Sequence, residues 1–123
     1  MIYEITKSRG SLRAQQLVKL GRLGMTSQRE GDVHTIGLSG ELDLATVEGV
    51  QRELECVEAS DVEAIVVDLS GLTFVDSSGV RLVVLADVRS RADSERLTLL
   101  RGPASVQRVF ALSGFEDRLP FAD

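Results

Sequence analysis

The residues of this chain best suited to chemistry are Asp76-Ser77-Ser78-Gly79, a carboxylate and two hydroxyls set between two apolar runs. Asp76, Ser77 and Ser78 each carry a short side-chain oxygen that can accept from the free amides of a helix's first turn. A helix opening there also presents the positive end of its dipole, which tolerates added negative charge such as a phosphoryl group on a serine. The chemistry implied is a covalent switch on a hydroxyl, with Ser77 and Ser78 as the candidate acceptors. The tetrapeptide alone is equally a plain capped turn.

Other chemistries fit less well. A phosphoacceptor aspartate at Asp68 or Asp76 needs further carboxylates for Mg²⁺ and a lysine near the phosphoryl group. The lysines are Lys7 and Lys19, remote from both aspartates. The glycines form neither a P-loop nor a dinucleotide fingerprint. His34 is the sole histidine, so a metal site or a Ser-His-Asp nucleophile would demand everything of one residue; it reads as a strand-edge histidine with no chemistry. Cys56 is the single cysteine and has no neighbouring base, so it reads as a small packing residue. No cofactor and no metal are expected.

The elements that must position the Asp76 turn come from hydrophobic spacing. Val33 to Ser39 alternates as a strand, with His34, Ile36 and Leu38 on one side, and Gly31-Asp32 closes a hairpin from a weaker strand near Thr26 to Glu30. Val47, Val50, Leu54 and Val57 recur at helical steps, with Glu48 and Arg52 paired outside and Glu53, Glu55, Glu58, Asp61 and Glu63 as a solvated acidic face. Ala64 to Leu69, with Ile65, Val66 and Val67 together, suits a strand covered on both faces. A helix from about Ser77 to Arg91 follows the turn, and so much of it is apolar that its outer side is expected to meet a partner. Arg96 to Leu100 is the next strand. Gly102-Pro103 opens a helix that turns Val106, Val109 and Phe110 inward and ends at Ser113-Gly114, and Leu119-Pro120-Phe121 adds a short edge strand. The alternation calls for a partly parallel α/β sheet.

Composition bounds the rest. At 123 residues one domain is expected. The sequence has no apolar run near the roughly 20 residues that span a bilayer and no apolar stretch of a secretory leader, which points to the cytoplasm. Residues 1–24 carry Lys7, Arg9, Arg13, Lys19 and Arg22 against Glu4, a net +4, which leaves −9 of the total −5 on residues 25–123. An acidic folded part disfavours nucleic acid and favours a basic protein surface as partner. Residues 1–24 read as an N-terminal extension, expected to be flexible in the way of chain ends, with a short amphipathic helix between Gly10 and Gly24 carrying Leu12, Gln16, Leu17, Leu20 and Leu23. Residues 25–123 form the domain proper.

Three segments carry a family resemblance. The run Asp68-Leu69-Ser70-Gly71-Leu72-Thr73-Phe74-Val75-Asp76-Ser77-Ser78-Gly79 resembles the centre of the STAS domain of bacterial anti-sigma-factor antagonists. Leu38-Ser39-Gly40-Glu41-Leu42-Asp43 is similar to that family's early strand and turn, and Val106 to Phe115 to its third helix. The resemblance spans Val33 to Phe121 and implies a single α/β domain with a mixed sheet of four to five strands flanked by helices. It implies no enzymatic activity. It implies an anti-sigma factor with serine kinase activity as partner, bound while the protein is unphosphorylated so that a sigma factor is freed, and released when Ser77 is phosphorylated; a phosphatase would reset it. Asp43, Asp76, Ser78, Gly79, Arg81 and Leu82 are the matching candidates for partner binding. A non-enzymatic scaffold, or a regulatory subunit of a stress-signalling or transport complex, is the alternative. Family members usually continue with a final helix, and this chain ends at Asp123.

Overall fold

The computed structural model describes residues 17–122. Strands β1 (Val18–Leu20), β2 (Leu23–Glu30), β3 (Val33–Leu42), β4 (Ala64–Val75) and β5 (Leu97–Leu100) lie side by side in chain order in one sheet. Two-residue turns at Gly21-Arg22 and Gly31-Asp32 join β1 to β2 and β2 to β3 as antiparallel pairs. Gly21 and Gly31 have φ of 64° and 63°, the left-handed conformation that lets a tight hairpin follow the strands' twist. The pairs β3/β4 and β4/β5 are parallel, so each needs a crossover. Helix α1 (Val47–Glu58) makes the first and α2 (Ser77–Ala92) the second. Helix α3 (Ala104–Ser113) follows β5 and stops at Gly114, whose φ of 86° closes the last turn. A single 3₁₀ turn, Glu116–Arg118, leads to a bridge between Phe121 and Leu99.

The sheet has one dry face. Met25, Ile36, Leu38, Ile65, Val67, Leu69, Leu97 and Leu99 share it by register and are buried with Val50, Leu54, Val57, Val83, Val106 and Phe110 of the helices. On the opposite face Thr35, Val66 and Thr98 are only half-buried, and Val33 and Leu100 are exposed. The strand expected to be covered on both faces is therefore covered on one. It is also longer than Ala64 to Leu69: pairing with β3 continues to Val75, with register shifts beside Gly37 and Gly40. The Ser70-Gly71 stretch that reads as a turn is an irregularity within β4, after which buried residues fall three apart at Leu69, Leu72 and Val75.

Other expectations are corrected. The helix read between Gly10 and Gly24 is replaced, over Val18–Leu20 and from Leu23 onward, by two strands. Leucine spacing in so short a stretch serves a strand as well as a helix, and Leu23 is fully buried in the core. Leu12 and Gln16 lie outside the described residues. Cys56, expected to pack, is exposed on α1. Glu53, expected on a solvated face, is 4% exposed, and the strand-edge His34 is buried beside it. The last strand begins at Leu97 because Arg96 serves elsewhere: its guanidinium donates to the carbonyls of Glu58, Ser60 and Val62 at 2.7, 3.2 and 2.8 Å, satisfying groups past the end of α1.

Candidate functional site

The site is built where β4 ends and α2 begins. Asp76 is the N-cap of α2: its Oδ1 accepts from the amides of Ser78 at 2.9 Å and Gly79 at 3.2 Å. Its other oxygen accepts from the amide of Leu44 at 3.3 Å, and its own amide donates to Leu42 at 3.3 Å. One carboxylate thus ties the start of α2 to the loop between β3 and α1. Of the three capping candidates Asp76, Ser77 and Ser78, Asp76 takes the role, and the amides of Ser78 and Gly79 are thereby committed to its carboxylate.

The β3–α1 loop is held by its own side chains. Asp43 accepts from Ala45 through Oδ1 at 3.0 Å and, through its carbonyl, from the amides of Thr46 and Val47, each at 3.0 Å. The Thr46 hydroxyl donates to Glu41 and accepts from the Asp43 amide, both at 3.0 Å. These bonds fix the loop whose Leu44 amide meets Asp76, so Asp43 and the Asp76 turn, separated by more than thirty residues in the chain, belong to one surface. Gly40 lets the β1–β2 turn pass close beneath it. Its φ is 89° and a β-carbon there would sit 2.2 Å from the Arg22 carbonyl, which itself accepts from the Glu41 amide at 3.0 Å.

Helical geometry sorts the remaining candidates. Ser77 and Arg81, four residues apart, are exposed on one face. Val84, Leu85 and Val88 continue that face, and Val88 is 56% exposed. Ser78 is half-buried. Gly79 and Leu82 point the other way: Leu82 is 6% exposed within the core, and Gly79 lies against Val75 and Leu42. A rotation of about 100° per residue carries these two expected partner contacts to the side of α2 that packs on the core.

Together Ser77, Ser78, Arg81, Val84 and Leu85 line one wall of a surface groove of 620 Å³ whose other wall is Val109 and Ser113 of α3 with Phe115. Its lining is mostly apolar, and among the described residues Arg81 is its cation. Leu44, 76% exposed, and the exposed Phe74 add apolar surface at the same end of the sheet. Sequence reasoning missed Leu44, Phe74 and the α3 wall. An apolar residue stranded in a polar loop, as in Asp43-Leu44-Ala45-Thr46, was the available signal.

A second polar cluster lies inside the fold. Ser27 of β2 donates its hydroxyl to Glu53 of α1 in a short hydrogen bond, and the same oxygen lies 2.6 Å from Nε2 of His34 on β3. Burial pushes the Glu53 carboxyl up from 4.5 to about 7. The carboxylate lies 4.0 Å from His34 and bonds the serine, so the three do not form the nucleophile-base-acid order of a hydrolase. Among the described residues no group of three or more His, Cys, Asp or Glu could hold a metal ion, and no helix is long and apolar enough to cross a membrane.

Comparison with known proteins gives a consistent result. A family model described as "Mlab, STAS domain" matches residues 25–120. The chain is 36% identical over 80 residues to an anti-sigma F factor antagonist of Lysinibacillus sphaericus, covering 64% of this chain and 68% of the relative. It is 30% identical over 86 residues to BtrV of Bordetella bronchiseptica, provisionally named an anti-sigma factor antagonist, covering 70% and 74%. Its fold matches that of the anti-sigma factor antagonist SpoIIAA in the unphosphorylated form with a TM-score of 0.63 at 30% identity, covering 89% of each chain. The phosphorylated form of SpoIIAA, from Bacillus, matches with a TM-score of 0.58 at 29% identity, covering 89% of this chain and 92% of that one. With its five-stranded mixed sheet, three helices on one face and the Asp76-capped turn, this chain belongs to the STAS-domain family of anti-sigma factor antagonists.

Proposed function

We propose that the chain binds an anti-sigma factor with serine kinase activity while unphosphorylated, so releasing a sigma factor, and that phosphorylation of Ser77 ends the complex. The observation that carries this reading is the placement of Ser77: exposed, directly after the capping Asp76, at one end of an apolar groove and beside the loop of Asp43 and Leu44. Asp43, Asp76, Ser78 and Arg81 with the apolar residues Leu44, Val84, Leu85 and Val88 make up the proposed contact surface. A partner of basic charge suits the acidic domain. The kinase activity belongs to the partner: Ser77 Oγ would attack the γ-phosphorus of a bound nucleoside triphosphate, lose its proton, and leave phosphoserine and the diphosphate. A separate phosphatase would reverse it, in the cytoplasm. The folded unit would begin with β1 rather than at Met25.

The switch is electrostatic. Phosphoserine adds roughly −1.5 to −2 charge at neutral pH. At the groove this charge would stand beside Asp76, whose carboxylate already occupies the helix amides, and must be desolvated when a partner docks. A contact loss of about 3 kcal/mol corresponds to roughly a hundredfold in affinity. Incubation with the kinase partner and ATP, followed by mapping of the phosphate, tests the reading. Modification is expected at Ser77 and absent from Ser77→Ala, which should bind constitutively, whereas Ser77→Asp should stay folded and bind weakly. Phosphate mapped to any other residue overturns it. The relatives named as anti-sigma factor antagonists favour this function over a scaffold or a transport-associated subunit.

A further inference from the structure

An anion attached to Ser77 has few groups left to receive it. The amides of Ser78 and Gly79 donate to Asp76, so the start of α2 offers a carboxylate where a bare helix would offer hydrogen-bond donors. The arginines of the domain are largely committed as well. Arg22, Arg29, Arg52, Arg89, Arg91, Arg96 and Arg101 each pair with a carboxylate within 4.0 Å. Arg81, Arg108 and Arg118 make no such pair among the described residues, and of these three only Arg81 lines the groove with Ser77. It is exposed and stands one helical turn after Ser77.

We propose that Arg81 is an intramolecular latch for phosphoserine at position 77, its guanidinium closing over the phosphate and sheltering it from hydrolysis. The proposal rests on the reading of Ser77 as the acceptor. Residues four apart on a helix bring their β-carbons to about 5–6 Å, within reach of a long side chain. An anion placed N-terminal to its cation is the favoured orientation for such a pair. The guanidinium fork can hold two phosphate oxygens at once, which an ammonium cannot match. Arg81 is a positioning residue here: it leaves the transfer of phosphate to Ser77 to the partner and acts on how long the modified state persists. An antagonist with this latch would stay off for longer after each kinase encounter.

The test uses the full chain with phosphoserine incorporated at position 77 during synthesis, alone and combined with Arg81→Gln or Arg81→Lys. A ³¹P NMR titration is expected to place the second phosphate ionisation lower by up to about 0.7 unit with Arg81 than with Arg81→Gln, the size of an exposed ion pair. Arg81→Lys should fall between, and the difference should shrink in high salt. A non-specific alkaline phosphatase should release phosphate about two- to fivefold faster from the Arg81→Gln form. Equal ionisation midpoints, or equal release rates, overturn the proposal. Because the phosphoserine is installed during synthesis, these results do not depend on which residue a kinase chooses; phosphate mapping decides that question separately.

Discussion

Replacing Glu53 by glutamine should flatten part of the pH dependence of stability. Glu53 is almost fully enclosed between α1, β2 and β3, where it faces the Ser27 hydroxyl and His34. Desolvation raises its carboxyl from 4.5 to about 7 in the folded state. A raised folded pKa means that the group's contribution is full below about pH 4.5 and is lost as pH rises through about 7. The difference of about 2.5 units, at 1.36 kcal/mol each, corresponds to about 3 kcal/mol. A proton on His34, 4.0 Å away, can offset part of the cost of the ionised carboxylate, so this figure is a ceiling. The polar chain survives either protonation state by reversing its donors: the ionised carboxylate accepts from Ser27, whose oxygen accepts from His34, whereas the acid donates to Ser27, which then donates to His34. Urea unfolding of the wild-type protein and Glu53→Gln between pH 4.5 and 8 isolates the effect, because other carboxylates titrate alike in both. The stability of Glu53→Gln relative to wild type should rise with pH by up to about 3 kcal/mol over that window. A difference that stays constant, or falls as pH rises, refutes the reasoning.

Other consequences can be measured in the same way. A chain begun at Met25 loses β1, the ladder from Leu23 to Gly40 and the fully buried Leu23; it should lose at least the roughly 2–5 kcal/mol of a large core truncation, read as a lower urea midpoint. Gly79→Ala places a methyl group 2.5 Å from Val75 Cγ2 and 3.0 Å from Leu42; it should cost about 1–3 kcal/mol and weaken partner binding by displacing the start of α2, while an alanine at Ser78 should leave stability nearly unchanged. Arg96→Ala should cost more than a surface substitution, above about 1 kcal/mol, because it strips donors from three carbonyls at the end of α1.

Much of this architecture is legible in the residues. Alternation in Val33 to Ser39, the Gly31-Asp32 break and the three- and four-residue steps of Val50, Leu54 and Val57 report burial directly, because period and face are linked. Three ordered segments then carry the family. What escaped was decided by contacts distant in sequence. Leu17, Leu20 and Leu23 satisfy a helical spacing, yet pairing of β1 with β2 and of β2 with β3 puts Leu20 and Leu23 in two strands at one side of the sheet. Glu53 and Cys56 exchange the places that residue type assigns them: Glu53 follows Val50 by three and turns inward, where Ser27 and His34 receive it, whereas Cys56 falls on the outer side of α1. Ser70-Gly71 carries turn residues but lies within a strand. At the site, Asp76 and the exposed serine after it could be read from the sequence. The bond from Asp76 to Leu44 and the α3 wall of the groove could not, since each joins segments about thirty residues apart.

On the proposed function, one phosphoryl group on Ser77 decides whether an anti-sigma factor is bound. The most direct measurement is the affinity of a purified anti-sigma factor kinase from the same organism for two forms of the full chain, unmodified and with phosphoserine installed at position 77, at fixed salt and without ATP. Circular dichroism and thermal melting should be closely similar for both forms, because Ser77 is exposed and outside the core. Binding should be weakened by about a hundredfold in the phosphorylated form. Equal affinity of the two folded forms would contradict it.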